Sequence, residues 1–263
     1  MGRSSCFLSS SELKTPALMH PYLVHSGHLL LPTFGVLAAM GLMLALTLSL
    51  RTAPIVGLDP DKLWNAGLFM LISAFALSRL LLVLANPQTF LRYPIILLTV
   101  PSLNSFGVLL TLVATAIYLR AKQLPLLDTL DAWSPSAILT WAFLAVGHFA
   151  EGSDAGLPTR LPWGLAIPPD RIHLHPVALY AAITAVVLAV VLLRQLPRRK
   201  NPGDTFALAL AASGAVQFLL TFFRQPLPDS KFLDPVQWIS LGLIALATLV
   251  VFLQPRKLVR YAV

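Results

Sequence analysis

A chain of 263 residues that is 57% hydrophobic and 11% charged, with a mean hydropathy of +0.77, is too apolar for an ordinary soluble domain, where about a quarter of residues carry charge. Lipid is its expected solvent, and its length allows several spans of about 20 residues each but no large soluble domain beside them. The formal charge of +8 does not call for a nucleic-acid partner, because Lys and Arg collect in the cytoplasmic loops of membrane proteins, and the single cysteine, Cys6, excludes an internal disulfide.

Residues 1–18 are polar and serine-rich without a long apolar core, so they predict a disordered extension rather than a signal peptide or a lipid-attachment site at Cys6. Met19 opens a different texture, and 19–263 reads as one membrane domain. Seven hydrophobic segments follow, at 29–50, 63–84, 95–119, 136–149, 177–193, 206–223 and 236–253, which predicts an all-α polytopic membrane protein with seven transmembrane helices. The fourth is short. Started at Pro135 behind a Ser134 cap, it needs about 20 residues to cross and so runs to near Ala155, unless it breaks at Gly147 or Gly152. No internal repeat of the transporter kind is visible.

Orientation follows from the basic residues of the connections. With the N-terminus outside, the inner set is Arg51, Lys62, Arg120, Lys122, Arg194, Arg198, Arg199, Lys200, Arg256, Lys257 and Arg260, eleven in all. The outer set is Arg3, Lys14, Arg92, Arg160, Arg171, Arg224 and Lys231, seven in all, with Arg79 inside a span. The positive-inside rule therefore predicts an outside N-terminus and a cytoplasmic C-terminus. In that orientation Arg79, Asn104, His148, Glu151, Arg224 and all six histidines lie toward the outer leaflet.

The stretch 147–180 concentrates polar groups between two apolar runs: His148, Glu151, Asp154, Arg160, Asp170, Arg171, His173 and His175. A polar loop between two membrane helices is one reading; a functional site is the other. His148 and Glu151 are three apart and share a helical face, either as a structural pair closing the helix or as a general base with its orienting carboxylate, able to take a proton from a thiol. Arg79 either snorkels or offers a planar fork to a lipid phosphate. Arg224 serves equally as an interfacial anchor or a phosphate ligand. His173 and His175, two apart and without a second spaced pair, make a weak metal pattern, and neither a metal nor an organic cofactor is expected.

Several stretches in order along nearly the whole chain resemble bacterial prolipoprotein diacylglyceryl transferases. They are His20-Pro21, Phe34-Gly35-Val36, Leu77-Ser78-Arg79-Leu80, Gly147-x-Phe149-x-x-Gly152-x-x-x-Gly156-x-x-Thr159-x-Leu161-Pro162-Trp163, His175-Pro176-x-x-Leu179-Tyr180, Phe222-Phe223-Arg224-Gln225-Pro226 and Gln237-Trp238-Ile239-Ser240-Leu241-Gly242. The resemblance implies a seven-span protein of the bacterial inner membrane that moves a diacylglyceryl group from phosphatidylglycerol to the lipobox cysteine of a prolipoprotein signal peptide, with membrane lipids as its other neighbours. For such a reaction the residues themselves offer Arg79, Arg224, His175 and Asn104 as expected substrate or phosphate contacts, His148 as the expected base with Glu151 as its orienter, and Gly152 and Gly156 as points of close backbone approach to substrate, or of helix packing.

Departures from the family pattern are equally specific. Leu144-Ala145-Val146-Gly147-His148-Phe149 stands where the family reads glycine-arginine-x-glycine-asparagine-phenylalanine. Gln217 and Thr221 stand at usual arginine and glutamate positions, Asn104-Ser105-Phe106-Gly107 replaces a histidine-containing glycine motif, Phe34 replaces a tyrosine, and Ala178 and Ala181 replace polar residues. These losses keep a second expectation open: a non-catalytic relative that binds phospholipid or a lipoprotein signal peptide.

Overall fold

The computed structural model describes residues 22–26, 29–92, 105–153, 156–167, 172–225 and 233–254. The expected 1–18 extension and Asn104 lie outside the described residues. The helices are α1 (Thr33–Thr52), α2 (Pro60–Ala85), the short α3 (Pro87–Arg92), α4 (Ser105–Ala121), α5 (Leu126–Glu151), α6 (Val177–Gln195), α7 (Asp204–Thr221) and α8 (Pro235–Leu253). By length and composition five of the long ones qualify as membrane spans, namely α1, α2, α6, α7 and α8, while α4 is a shorter apolar helix of 17 residues. α5 is 26 residues long and carries Asp128 and Asp131 in its first turns.

Two small antiparallel hairpins modify the all-helical expectation. β1 (Tyr22–Ser26) pairs with β2 (Leu29–Pro32), and β3 (Leu165–Ile167) with β4 (Ile172–Leu174). The first span was expected from residue 29, yet 29–32 is strand. Pro32 holds extended backbone (φ −67°, ψ 132°) and biases Leu31 away from helix, so α1 starts only behind it.

The fourth span also begins earlier than the sequence suggested. Its helix opens at Leu126 behind Pro125, and Pro135 lies inside it, fully buried. Ser134 is no cap: its hydroxyl donates back to the Leu130 carbonyl at 2.6 Å. The polar first turns are tolerated because their acids are matched. Arg199 bridges Asp128 at 2.6 Å and Asp131 at 2.7 Å and donates to the Val56 carbonyl at 3.1 Å. The fully buried Asp131 also accepts from the Gly203 N–H at 2.7 Å and the Phe206 N–H at 2.8 Å, capping α7 from a neighbouring helix. Burial lowers the Arg199 pKa, but the hydrogen bonds and attraction from both aspartates outweigh it, and the net shift is upward. At the other end α5 stops at Glu151, because Gly152 takes a left-handed conformation (φ 70°).

The packing is that of a protein solvated by lipid. Small and hydroxylated residues are buried between helices: Gly41, Ser49 and Thr52 on α1; Ala142, Ala145 and Gly147 on α5; Ala178, Ala181, Ala182, Ala185 and Ala189 on α6; Ala209 and Gly214 on α7. Met43, Ile72, Val187 and Phe252 are exposed, as apolar side chains are when the surroundings are apolar too. Several helix hydroxyls bond back to their own helices, as in Thr111 to the Gly107 carbonyl and Ser240 to that of Val236. α5 is central, packing on α1, α6 and α7, while α8 rests on α7 and α2 on α4. The Thr52 hydroxyl, donating to the Ala132 carbonyl at 2.8 Å, ties α1 to α5.

Candidate functional site

At the end of the bundle opposite Arg199, three segments of the 147–180 stretch are drawn together with the end of α7. The left-handed turn at Gly152 sends the chain out of α5 and into an extended run. Gly156 pairs with Arg224 and Pro158 with Leu174 as isolated antiparallel bridges. Backbone bonds lock the layers: Leu157 N–H to the Phe223 carbonyl at 2.8 Å, His175 N–H to that of Leu157 at 3.0 Å, and Thr159 N–H to that of His173 at 2.7 Å. Thus Gly156, His175 and Arg224, far apart in sequence, become neighbours. A Cβ on Gly156 would run into the His175 carbonyl oxygen and lie 2.7 Å from the His175 Cβ and 2.9 Å from the Phe223 oxygen. The space a side chain would need is therefore filled by the protein's own backbone. Gly152 serves the helix end, its N–H donating to the Phe149 carbonyl at 3.1 Å.

His148 is half-buried in the last turn of α5, its ring centroid 4.9 Å from that of Phe34. Its Nδ1 meets the Ser153 hydroxyl at 3.0 Å, and that hydroxyl also donates to the His148 carbonyl at 3.3 Å. The roles at Nδ1 depend on the tautomer: when the Ser153 proton goes to the carbonyl, its oxygen accepts from Nδ1–H and Nε2 is the basic nitrogen. Among the described residues Nε2 has no partner. Glu151 is exposed and joins neither His148 nor any cation among the described residues. Three-residue spacing put both on one face, but a long carboxylate at an exposed helix end turns to solvent, while the αL turn delivers Ser153.

Around His175 is a second cluster. The Trp163 indole donates from Nε1 to the Tyr180 hydroxyl at 2.9 Å, and that oxygen lies 3.3 Å from His175 Nδ1. Phe223 meets the His175 ring edge-on at 5.2 Å and Tyr180 at 6.3 Å. Trp163, Tyr180, Ser153 and Phe223 escaped the search for site residues because single aromatics and serines carry no chemistry by themselves. The five-residue step from His175 to Tyr180 across Pro176 was the available signal. His173 is exposed on β4, and no three His, Cys, Asp or Glu side chains come together as a metal site among the described residues.

Arg79 is half-buried on α2, its guanidinium carbon 5.1 Å from the Phe75 ring centroid, a cation–π contact one turn back. Arg224 is half-buried beside the strand layer. Thr221, at a position usually polar in the resembling family, is buried; its hydroxyl donates to the Phe218 carbonyl at 2.6 Å and accepts from the Gln237 amide at 3.0 Å. Gln237 belongs to a capping box with Asp234 that opens α8. Ala178 and Ala181 are 2% and 3% exposed, and Ala181 packs with Ala145, Val177, Ala182 and Leu220.

A bundle of long apolar helices with a histidine-bearing polar layer at one end is that of a multi-pass membrane protein. Residues 21–253 match the family model described as prolipoprotein diacylglyceryl transferase, and the chain belongs to that family. A relative named phosphatidylglycerol–prolipoprotein diacylglyceryl transferase from Clostridium tetani is 27% identical over 242 residues, covering 88% of this chain and 96% of the relative. Proteins of the same name from Thermosynechococcus vestitus and Chloroflexus aggregans are 28% and 30% identical, the first covering 84% of this chain and 88% of its own, the second 65% of each.

Proposed function

We infer that this chain transfers a diacylglyceryl group from phosphatidylglycerol to the lipobox cysteine of prolipoproteins, at the outer face of the bacterial inner membrane, with seven spans, the N-terminus outside and the C-terminus in the cytoplasm. Family membership across residues 21–253 is the observation that carries the reaction. The charge count of eleven against seven basic residues supports the orientation.

In this reading His148 Nε2 takes the proton of the incoming thiol, and Ser153 fixes the ring by its contact to Nδ1. The thiolate attacks the glycerol carbon that carries the phosphate ester, the carbon–oxygen bond breaks, and glycerol phosphate leaves with the electron pair. Arg79 and Arg224 neutralise the phosphate before and after departure, and Asn104 adds a polar contact to the headgroup. His175, held by Tyr180, lines the same strand layer as Arg224. Glu151 stays on the solvent side, exposed at the end of the helix. An apolar groove of about 490 Å³ bounded by Leu37, Phe143, Val146 and Ile183 runs below His148 and suits an acyl chain. The deciding experiment is rescue of a strain depleted of its own diacylglyceryl transferase, paired with transfer by purified protein to a lipobox peptide.

A second reading, a relative that binds the lipid or signal peptide without chemistry, is favoured by one specific observation. Ala178 and Ala181 are packed and the Thr221 hydroxyl is hydrogen-bonded on both sides, so these three positions offer no free polar group. Binding of phosphatidylglycerol without transfer, under conditions where a C. tetani-type relative turns over, selects it.

A further inference from the structure

At the Arg199 end of the bundle, remote from the His148 layer, a groove of about 610 Å³ opens between the end of α6, the start of α7 and the end of α8. Its mouth carries Arg198, Lys200 and Asp204, and its walls are apolar, among them Leu208 on α7 and Val251 and Phe252 on α8. We propose that this groove holds one anionic glycerophospholipid, its phosphate on Arg198 and Lys200 and one acyl chain along α7 and α8.

The Arg198-Arg199-Lys200 run divides by direction. Arg199 is drawn inward, and its hydrogen bonds to Asp128, Asp131 and the Val56 carbonyl use its charge inside the bundle. That leaves its two neighbours exposed, and neither side chain has a partner among the described residues. Asp204, the one acid at the mouth, is already engaged. Its Oδ2 accepts from the Lys200 N–H at 2.9 Å and the Asn201 N–H at 2.8 Å, which holds the turn that carries Lys200. The groove mouth is thus a pair of available cations on a fixed turn, the arrangement that attracts an anionic headgroup at a membrane surface.

Below the mouth the walls have the length of a chain segment. Asp204, Ala207, Leu208 and Ala211 recur on one face of α7 over seven residues, about 10 Å of helix. An acyl chain gains little by leaving one apolar medium for another, so the walls position the lipid while the cations select it. The groove is independent of the transfer reaction, and its occupancy does not depend on that activity.

The test uses the full chain in phosphatidylcholine nanodiscs containing a small share of phosphatidylglycerol with a photoactivatable group in its acyl chain, crosslinks being mapped by peptide mass spectrometry. Labelling is read locally, so phosphatidylglycerol held near His148 is counted separately. The expected result is labelling within 204–211 and 247–252 that falls about tenfold in the Arg198→Gln, Lys200→Gln double variant, on the strength of two interfacial cations. Arg194→Gln, an exposed cation one turn earlier that does not line the groove, leaves it unchanged. Equal labelling by a phosphatidylcholine probe, no loss in the double variant, or an equal loss in Arg194→Gln overturns the proposal.

Discussion

His148 has one ring nitrogen engaged with Ser153, and the other has no partner among the described residues. General-base catalysis needs that nitrogen unprotonated, so transfer should be slower in acid. His148→Asn restores the residue usual at this family position and removes the base. Its transfer rate should drop about 10²- to 10⁴-fold and lose that pH dependence. A pH profile of lipobox-peptide transfer that is the same in His148→Asn and the parent chain would rule out the base. At Arg79 the discriminating change is to Lys, which keeps the charge and the reach to Phe75 but loses the planar fork. Phosphatidylglycerol affinity, titrated in detergent, should weaken several-fold in Arg79→Lys and further in Arg79→Gln; full affinity in both removes the phosphate role.

Each end of the bundle is held in place by one tightly packed residue. Gly156 sits where its strand passes His175 and Phe223 without room for a Cβ. Gly156→Ala forces the layers apart, so the contact between His175 and Tyr180 should break and transfer should collapse while the helices survive. Tyr180 or Trp163 fluorescence, together with helical circular dichroism, separates those effects, and wild-type transfer in the variant contradicts the packing argument. At the opposite end Asp131 is fully buried and serves Arg199 and the first turn of α7 at once. Removing it takes one of two carboxylates from a half-buried guanidinium and strands two backbone donors. Asp131→Ala should cost about 3–5 kcal/mol, seen as a lowered thermal midpoint in detergent, with no direct effect on substrate affinity in protein that remains folded. A midpoint within a degree of the parent chain refutes the clamp.

For the molecule as a whole, helix parity and the basic count predict Lys200 inside and Asp170 outside. In a Cys6→Ser background, an impermeant thiol reagent added to intact cells should label Asp170→Cys and leave Lys200→Cys untouched until the membrane is opened. The reverse pattern inverts the topology and moves the His148 layer to the cytoplasmic face.

Composition and apolar run length were enough to establish a lipid-solvated helical chain, because burying some twenty successive apolar residues has one economical backbone solution in a membrane, the helix. Motif order was enough for the family. Helix starts were less legible: Pro135 looked like a beginning, but a charged turn can precede it when Arg199, sixty-odd residues later, neutralises Asp128 and Asp131. The site was half legible. His148, His175, Arg79 and Arg224 stand out as costly residues in an apolar chain, but their partners do not. Ser153 rather than Glu151 meets His148 because the Gly152 turn redirects the chain. Likewise, Trp163 reaches Tyr180, the partner of His175, only when the extended run folds back over the start of α6. Cost is a property of a residue and can be read along the chain; partnership depends on backbone direction after each turn, and only the tertiary structure decides it.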